Sequence, residues 1–148
     1  MSKISDKARE LYLQDGYCCS ESVWLAFAQH DDLDIALRDT GNRLAFAFCG
    51  GTGAAKLCGA LAGGILVLGN RYGRTPGQDR NPELAKYTKE LIDTFESHYH
   101  KINCKDLKPV ADPALCKQVC AGYLSFVVQA IEDMHNRNNN SNPTEICA

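Results

Sequence analysis

Residues 49–73, CGGTGAAKLCGALAGGILVLGNRYG, combine the apolar character of a buried element with eight glycines and two cysteines. Glycine loses more conformational entropy on folding than any other residue, so its frequency in a buried segment needs a structural reason. A helix supplies one, because it gathers small residues on a face that neighbouring helices can approach closely: Gly59, Ala60, Ala62 and Gly63. We therefore predict a helix over residues 58–72, preceded by a turn at Gly50–Gly53, with a short strand over the ILVL run as the alternative.

The segments on either side of this helix also show helical patterns. Ser5 is expected to cap the first helix of the chain, and Gly41 is expected to interrupt the third. Residues 102–107, INCKDL, are expected to form a turn or a single helical turn. The prediction is an all-α, single-domain bundle of five to six helices over residues 1–135, followed by a disordered, Asn-rich tail over 136–148. The spacing of apolar residues and the capping residues predict helices, besides the one at 58–72, over 5–14, 18–30, 34–48, 83–98 and 112–134.

Composition and charge exclude several classes of function. The chain has 148 residues with 16 Lys and Arg against 18 Asp and Glu, so its formal net charge of −2 offers no basic surface for nucleic acid. The amino-terminal residues are charged throughout, unlike the apolar core of an export signal. The apolar run over 58–69 is well short of the roughly 20 residues that a membrane helix needs. We therefore expect a cytoplasmic protein that neither binds nucleic acid nor spans a membrane.

Eight cysteines are the strongest chemical signal in the chain. In a cytoplasmic protein, cysteines in such number favour metal binding or thiol redox chemistry over structural disulfides. Helix starts favour the thiolate, which is both the nucleophile and the metal ligand, because they present unpaired N–H groups and a positive dipole end. No Cys-x-x-Cys pair occurs, so zinc-ribbon, thioredoxin and ferredoxin motifs are unsupported. The cysteines at predicted helix starts and turns are Cys18, Cys19, Cys58, Cys104 and Cys116.

Four short elements give the chain a resemblance to a known family. CGALAG, residues 58–63, matches a CGAxxG core, and Gly-Tyr-Cys-Cys at 16–19 is similar to a Gly-Tyr-Asn-Cys element that precedes a helix. Cys-Lys-Asp-Leu at 104–107 is similar to a Cys-x-x-Leu element, and Cys116 opens the last predicted helix. In this order they resemble the C-GCAxxG-C-C family of redox-active proteins, over nearly the whole chain up to about Met134.

The resemblance implies a small helical protein in which four cysteines are shared with the family. Similar domains accompany haem in split-Soret cytochromes, where a non-haem iron or iron–sulfur centre is associated with the domain. This chain has no Cys-x-x-Cys-His for haem attachment, so it resembles a free-standing form. Family members are also associated with membrane transporters, which implies a protein partner. The four shared cysteines would here be Cys19, Cys58, Cys104 and Cys116.

The remaining cysteines depart from the family pattern. Cys18 stands where the family has Asn, and Cys49, Cys120 and Cys147 are additional. Cys120 follows Cys116 by four residues, which places both on one face of a helix. Cys120 is therefore a candidate to replace Cys116 as a ligand.

Three functions are compatible with this cysteine pattern. The first is an electron-transfer or redox protein, rather than a stand-alone enzyme, whose four shared cysteines bind an iron–sulfur cluster, more readily [2Fe–2S] than [4Fe–4S]. The second is a thiol–disulfide or persulfide-carrying redox protein with Cys58 or Cys19 as the nucleophile. The third is a structural zinc site on the same four cysteines. A redox partner protein is expected for the first two, and the small-residue helix together with exposed aromatic residues favours a homodimer.

Overall fold

The structure, a computed structural model, describes residues 1–108 and 111–141. A π turn at Gly51–Ala55, called the glycine turn below, leads from the third helix towards the fourth. The helical interpretation of the glycine-rich segment is confirmed, because a helix spans Gly59–Tyr72. Over the described residues the fold is all-α, as predicted, with seven helices and no strand: α1 (Lys3–Leu13), α2 (Cys19–His30), α3 (Ile35–Phe46), α4 (Gly59–Tyr72), α5 (Pro82–Tyr99), α6 (Cys104–Leu107) and α7 (Pro113–Asn140).

Helix α4 occupies the centre of the bundle and contacts α2, α3, α5 and α7. Its glycines allow this packing: a Cβ at Gly63 would lie 2.7 Å from the carbonyl oxygen of Ser20 in α2. A Cβ at Gly64 would lie 2.7 Å from Cγ1 of Val127 in α7. Because protein interiors are close-packed, larger residues at these positions would push the helices apart. The glycines that looked unsuited to a buried helix are what lets α4 fit between its neighbours.

The helix starts follow capping rules, with one correction. The Asp34 side chain accepts a hydrogen bond from the backbone N–H of Leu37, and Asp112 accepts one from Ala114, so both predicted caps are confirmed. The expectation that Ser5 caps α1 is wrong. The helix begins earlier, at Lys3, because the Ser2 side chain accepts the N–H of Ser5, which is itself buried inside the helix.

Helix α3 is not interrupted at Gly41, contrary to the prediction. The ring of Trp24 in α2 lies directly against Gly41, where any Cβ would overlap it. The indole N–H of Trp24 also donates a hydrogen bond of 2.9 Å to the carbonyl oxygen of Arg38. Gly41 therefore leaves space for the Trp24 ring within a continuous helix. The helix ends at Phe46, which is earlier than the predicted end at residue 48.

Helix α7 continues to Asn140, six residues beyond the predicted end at Met134 and into the segment 136–148 expected to be a disordered tail. Contacts with α5 explain the extra length, because Arg137 pairs with Glu90 and the Asn138 side chain donates to the Tyr87 hydroxyl. Residues 142–148, which include Cys147, lie outside the described residues.

Among the described helices, α7 alone is long and apolar enough to cross a membrane, with a mean hydropathy of 1.4 over 18 residues. The same composition suits a helix at the core of a bundle. Its buried side, which includes Leu124, Val127 and Ile131, packs against α1, α2, α4 and α5.

Candidate functional site

One small cavity brings together cysteines from four separate elements. Its volume is about 40 Å³, and its wall also includes Tyr12, Tyr123 and Lys108. Three of the four cysteines stand where their helices begin, as predicted for Cys19 and Cys58, while Cys104, expected in a short turn or single helical turn, is the first residue of the short α6. The cysteines in the wall are Cys19 at the first residue of α2, Cys58 at the N-cap of α4, Cys104 at the first residue of α6, and Cys120 within α7.

Backbone hydrogen bonds hold Cys58 and Cys104 beside each other. The N–H of Cys58 donates to the carbonyl oxygen of Ile102 at 2.8 Å, and the N–H of Cys104 donates to that of Lys56 at 2.6 Å. These two bonds surround the isolated antiparallel bridge between Leu57 and Asn103. Two segments that are distant in the sequence are thereby fixed side by side, with a thiol on each.

The glycine turn closes one side of the cavity. Gly51 has φ +63°, in the left-handed region that glycine adopts most easily. A Cβ on Gly51 would lie 2.6 Å from the carbonyl oxygen of Lys56 and 2.8 Å from Cβ of Cys104. The site therefore requires glycine here for both backbone conformation and space.

The first glycine of the CGALAG motif brings Cys19 close to the start of α4. A Cβ on Gly59 would lie 3.1 Å from Cβ of Cys19 and 3.3 Å from the carbonyl oxygen of Phe48. The absence of a side chain at Gly59 therefore lets the starts of α2 and α4 meet, and the thiols of Cys19 and Cys58 share the cavity.

The fourth cysteine of the cavity wall is Cys120, the residue considered as a substitute for Cys116. Cys120 is buried, whereas Cys116 is half-buried and lies one helical turn earlier in α7. The Tyr123 hydroxyl donates a hydrogen bond of 2.7 Å to the carbonyl oxygen of Leu107, which fixes this part of α7 against α6. The structure thus brings Cys19, Cys58 and Cys104 together with Cys120.

Hydrogen bonding separates the pKa values of Cys19 and Cys120. A hydrogen bond from the Cys19 thiol lowers the pKa of Cys120 to about 6, and a second one from the Tyr12 hydroxyl and the positive charge of Lys108 act in the same direction. The same hydrogen bond, together with burial, raises the pKa of Cys19. In the metal-free protein this hydrogen bond therefore favours the thiolate on Cys120 over the thiolate on Cys19.

Burial decides the pKa of Cys58. It raises that pKa to about 11, although the backbone N–H groups of Leu61 and Ala60 hydrogen-bond to the sulfur and oppose the shift. Burial at Cys58, and the hydrogen bond with Cys120 together with burial at Cys19, act against the lower pKa that a helix start favours. Desolvation outweighs the helix start at Cys58, because an ionised group is costly in an apolar interior.

A second pair of cysteines lies next to this cavity, and the sequence did not indicate that the two would pair. Cys18 and Cys49 form a disulfide across 31 residues of sequence, with their Cα atoms 5.8 Å apart. Nothing in the local sequence pattern pairs them, because the contact depends on how α3 folds back beside α2. Their positions next to Cys19 and Gly50 were the one available signal, since both neighbours line the cavity.

The comparison with known proteins gives one match. A family model described as "Putative redox-active protein (C_GCAxxG_C_C)" matches residues 17–134. No curated protein and no solved structure matches. The matched range contains all four cysteines of the cavity and both cysteines of the adjacent disulfide.

Proposed function

Because this chain belongs to the C_GCAxxG_C_C family of redox-active proteins, we propose that it is a small redox protein that binds an iron–sulfur cluster of the [2Fe–2S] type. The observation that carries the proposal is the convergence of four thiols, from four separate elements, on one buried cavity. The cluster would be held by Cys19, Cys58, Cys104 and Cys120.

The donors and the size of the cavity fit such a group. Four cysteine sulfurs are the standard ligand set of iron–sulfur clusters. The cavity volume of about 40 Å³ accommodates only a few atoms, whereas sites for organic ligands usually measure about 300–1,000 Å³. The backbone N–H groups that already point at the Cys58 sulfur are of the kind that tunes cluster potentials.

The spacing of the sulfurs supports a centre with more than one metal atom over a single zinc ion. Around tetrahedral zinc, thiolate sulfurs at about 2.3 Å from the metal lie about 3.8 Å from one another. Within residues 1–108 and 111–141, the one group of three His, Cys, Asp or Glu ligand atoms that lie within 4.8 Å of one another is Cys18, Glu21 and Cys49. The cavity cysteines form no such group, and a two-metal centre needs only pairs of close sulfurs.

The cluster would supply one-electron transfer, and the surrounding residues would set its environment. Tyr12 and Tyr123 line the cavity and would add aromatic surface beside the cluster. The Lys108 ammonium lies close enough to Cys104 that the pKa of Lys108 is raised, so its positive charge offsets part of the negative charge of the thiolates. Cys19 and Cys104 are half-buried, whereas Cys58 and Cys120 are buried.

Anaerobic purification tests the proposal directly. We expect a coloured protein with iron and acid-labile sulfide in equal amounts, whose visible absorbance falls on addition of dithionite. Cys120→Ser should lose at least half of the iron. Cys116→Ser is the matched control, one turn earlier on the same helix, and should keep it. A wild-type protein that stays colourless after reconstitution with iron and sulfide would contradict the proposal, as would iron lost from Cys116→Ser but retained by Cys120→Ser.

The Cys19–Cys120 pair favours a second candidate, thiol redox chemistry inside the cavity. A thiolate hydrogen-bonded to a neighbouring thiol is an arrangement suited to forming a disulfide or carrying a persulfide. The nucleophile would then be Cys120, instead of the Cys58 or Cys19 expected from the sequence. Mass spectrometry of metal-free, oxidised protein would find Cys19 and Cys120 joined if this candidate is correct, and both alkylated separately if it is not.

The protein that exchanges electrons with this chain stays a prediction, as do the transporter-associated partner, the homodimer and the cytoplasmic location. Exposed apolar side chains on α3 support a contact with another protein. Ile35, Leu44 and Phe46 are each more than half exposed there.

A further inference from the structure

Cys18 and Cys49 lie beside the cavity but outside its wall. Cys18 is the N-cap of α2, and Cys49 stands in the connection between α3 and the glycine turn. Their Cα separation of 5.8 Å is in the usual range for a disulfide. The pair therefore needs no backbone movement to be oxidised.

Polar groups surround both sulfur atoms. The Ser20 hydroxyl lies 3.5 Å from Sγ of Cys18 and 3.9 Å from Sγ of Cys49. Oε1 of Glu21 lies 4.0 Å from Sγ of Cys49. The reduced pair would thus find a hydrogen-bond acceptor for each thiol, so reduction leaves neither thiol without a partner.

The Glu21 side chain is itself fixed in position. Its Oε1 accepts the backbone N–H of Cys18 at 3.2 Å, and its Oε2 accepts the side-chain amide of Asn42 at 3.0 Å. Glu21 is buried. These bonds hold the polar surroundings of the pair in place independently of the sulfur–sulfur bond.

The pair is accessible from solvent. Both cysteines are half-buried, and the neighbouring Gly50 is exposed. A Cβ on Gly50 would have no atom within 4 Å, so the space beside Cys49 is open. A thiol on a small molecule or on another protein can approach Cys49 from this side.

We propose that Cys18 and Cys49 form a second redox site, a dithiol–disulfide couple that exchanges with an external dithiol. A thiolate of the external dithiol attacks the Cys49 sulfur, the bond to Cys18 breaks, and Cys18 leaves as a thiolate that takes a proton from solvent. The second sulfur of the dithiol then attacks the sulfur bound to Cys49, closes a cyclic disulfide and releases Cys49, which is also protonated. Two electrons pass to the protein and the dithiol is oxidised, and the reverse sequence restores the Cys18–Cys49 bond.

Tryptic peptides report the pair directly. Trypsin cleavage leaves Cys18 and Cys19 in the peptide of residues 10–38 and Cys49 in the peptide of residues 44–56, so the disulfide joins these two peptides. Folded protein, without denaturant, is equilibrated in buffers of reduced and oxidised dithiothreitol, quenched in acid, alkylated and digested. We expect the joined peptide to decrease at least tenfold as the buffer becomes more reducing and to return when oxidised dithiothreitol is restored.

Three variants assign the bond. Cys18→Ser and Cys49→Ser should lose the joined peptide, whereas Cys19→Ser, changed at the adjacent residue of the same tryptic peptide, should retain it. Three results would overturn the proposal: no joined peptide at any buffer ratio, a joined peptide that dithiothreitol reduces only after unfolding, or loss of the joined peptide in Cys19→Ser. Iron content measured on the same samples reports separately on the proposed cluster, which we expect Cys49→Ser to retain.

Discussion

At Cys120, the balance of hydrogen bonding and burial leads to a measurable titration. Ordinary thiols ionise near pH 8.5, and the pKa of Cys120 is lowered to about 6. In metal-free protein Cys120 should therefore be a neutral thiol below pH 6 and a thiolate above it. Thiolate absorbance near 240 nm should rise by one equivalent with a midpoint close to pH 6.

Two serine variants identify the residue that titrates. Cys120→Ser should lose this step, and Cys116→Ser should keep it. Cys58 should contribute only near pH 11, because burial raises its pKa to about 11. A first thiolate step at pH 8 or above in the wild type would contradict the prediction.

Single residues were the least predictable level from the sequence. Cys19, Cys58 and Cys104 could be singled out because each stands at a helix start or turn. The difference between Cys116 and Cys120 depends on how α7 is rotated in its packing against α1, α2, α4 and α5, and the Tyr123 hydrogen bond to Leu107 is one contact made in that orientation. Such long-range contacts leave no local sequence pattern.

Among the elements, α4 offers a matched pair of glycines. A Cβ at Gly63 would lie 2.7 Å from the carbonyl oxygen of Ser20, whereas one at Gly69 would have no atom within 4 Å. We expect Gly63→Ala to lower the free energy of unfolding by about 1–3 kcal/mol, since α2 and α4 must separate. Gly69→Ala should raise it by up to about 1 kcal/mol through helix propensity. Urea unfolding followed by circular dichroism measures both, and equal effects would refute the packing explanation.

The glycine turn gives a second matched pair. Gly51 and Gly53 both have positive φ, +63° and +69°, so alanine is strained at either position by about 1 kcal/mol or more. Only at Gly51 would the new Cβ also meet Lys56 and Cys104. We expect Gly51→Ala to destabilise the protein by at least about 1 kcal/mol more than Gly53→Ala. It should also bind less iron, and similar iron contents in the two variants would contradict this role of the turn.

Helix type was more predictable than helix boundaries. Periodic apolar residues and the caps at Asp34 and Asp112 act over one or two turns, so the sequence contains them. The interruption predicted at Gly41 was wrong because this glycine makes room for the ring of Trp24, which lies on another helix. The end of α7 was misjudged because Arg137 pairs with Glu90, on a helix that precedes it by many residues.

For the molecule as a whole, the cavity joins α2, α4, α6 and α7. A group bound there only in the folded state stabilises the fold, by about 2.7 kcal/mol at a hundredfold excess over its dissociation constant. In a domain of this size that corresponds to about 5–10 °C in Tm. Anaerobic removal of the metal by a chelator should therefore lower Tm by at least about 5 °C, as measured by circular dichroism. Cys120→Ser should show little change, and an unchanged wild-type Tm would argue against a group bound across these elements.

Trp24, whose ring packs against Gly41, is a natural fluorescent probe of the structure. Trp24 is the single tryptophan of the chain, and its indole bonds to α3 through Arg38. The loop closed by the Cys18–Cys49 bond contains α3 in full. Opening that bond removes the covalent link between the start of α2 and the residues that follow α3, while the hydrogen bonds from Asn42 to Glu21 and from Trp24 to Arg38 remain. We expect the fluorescence of Trp24 to change when this link opens, and stopped-flow mixing would then follow the exchange reaction in real time without any attached label.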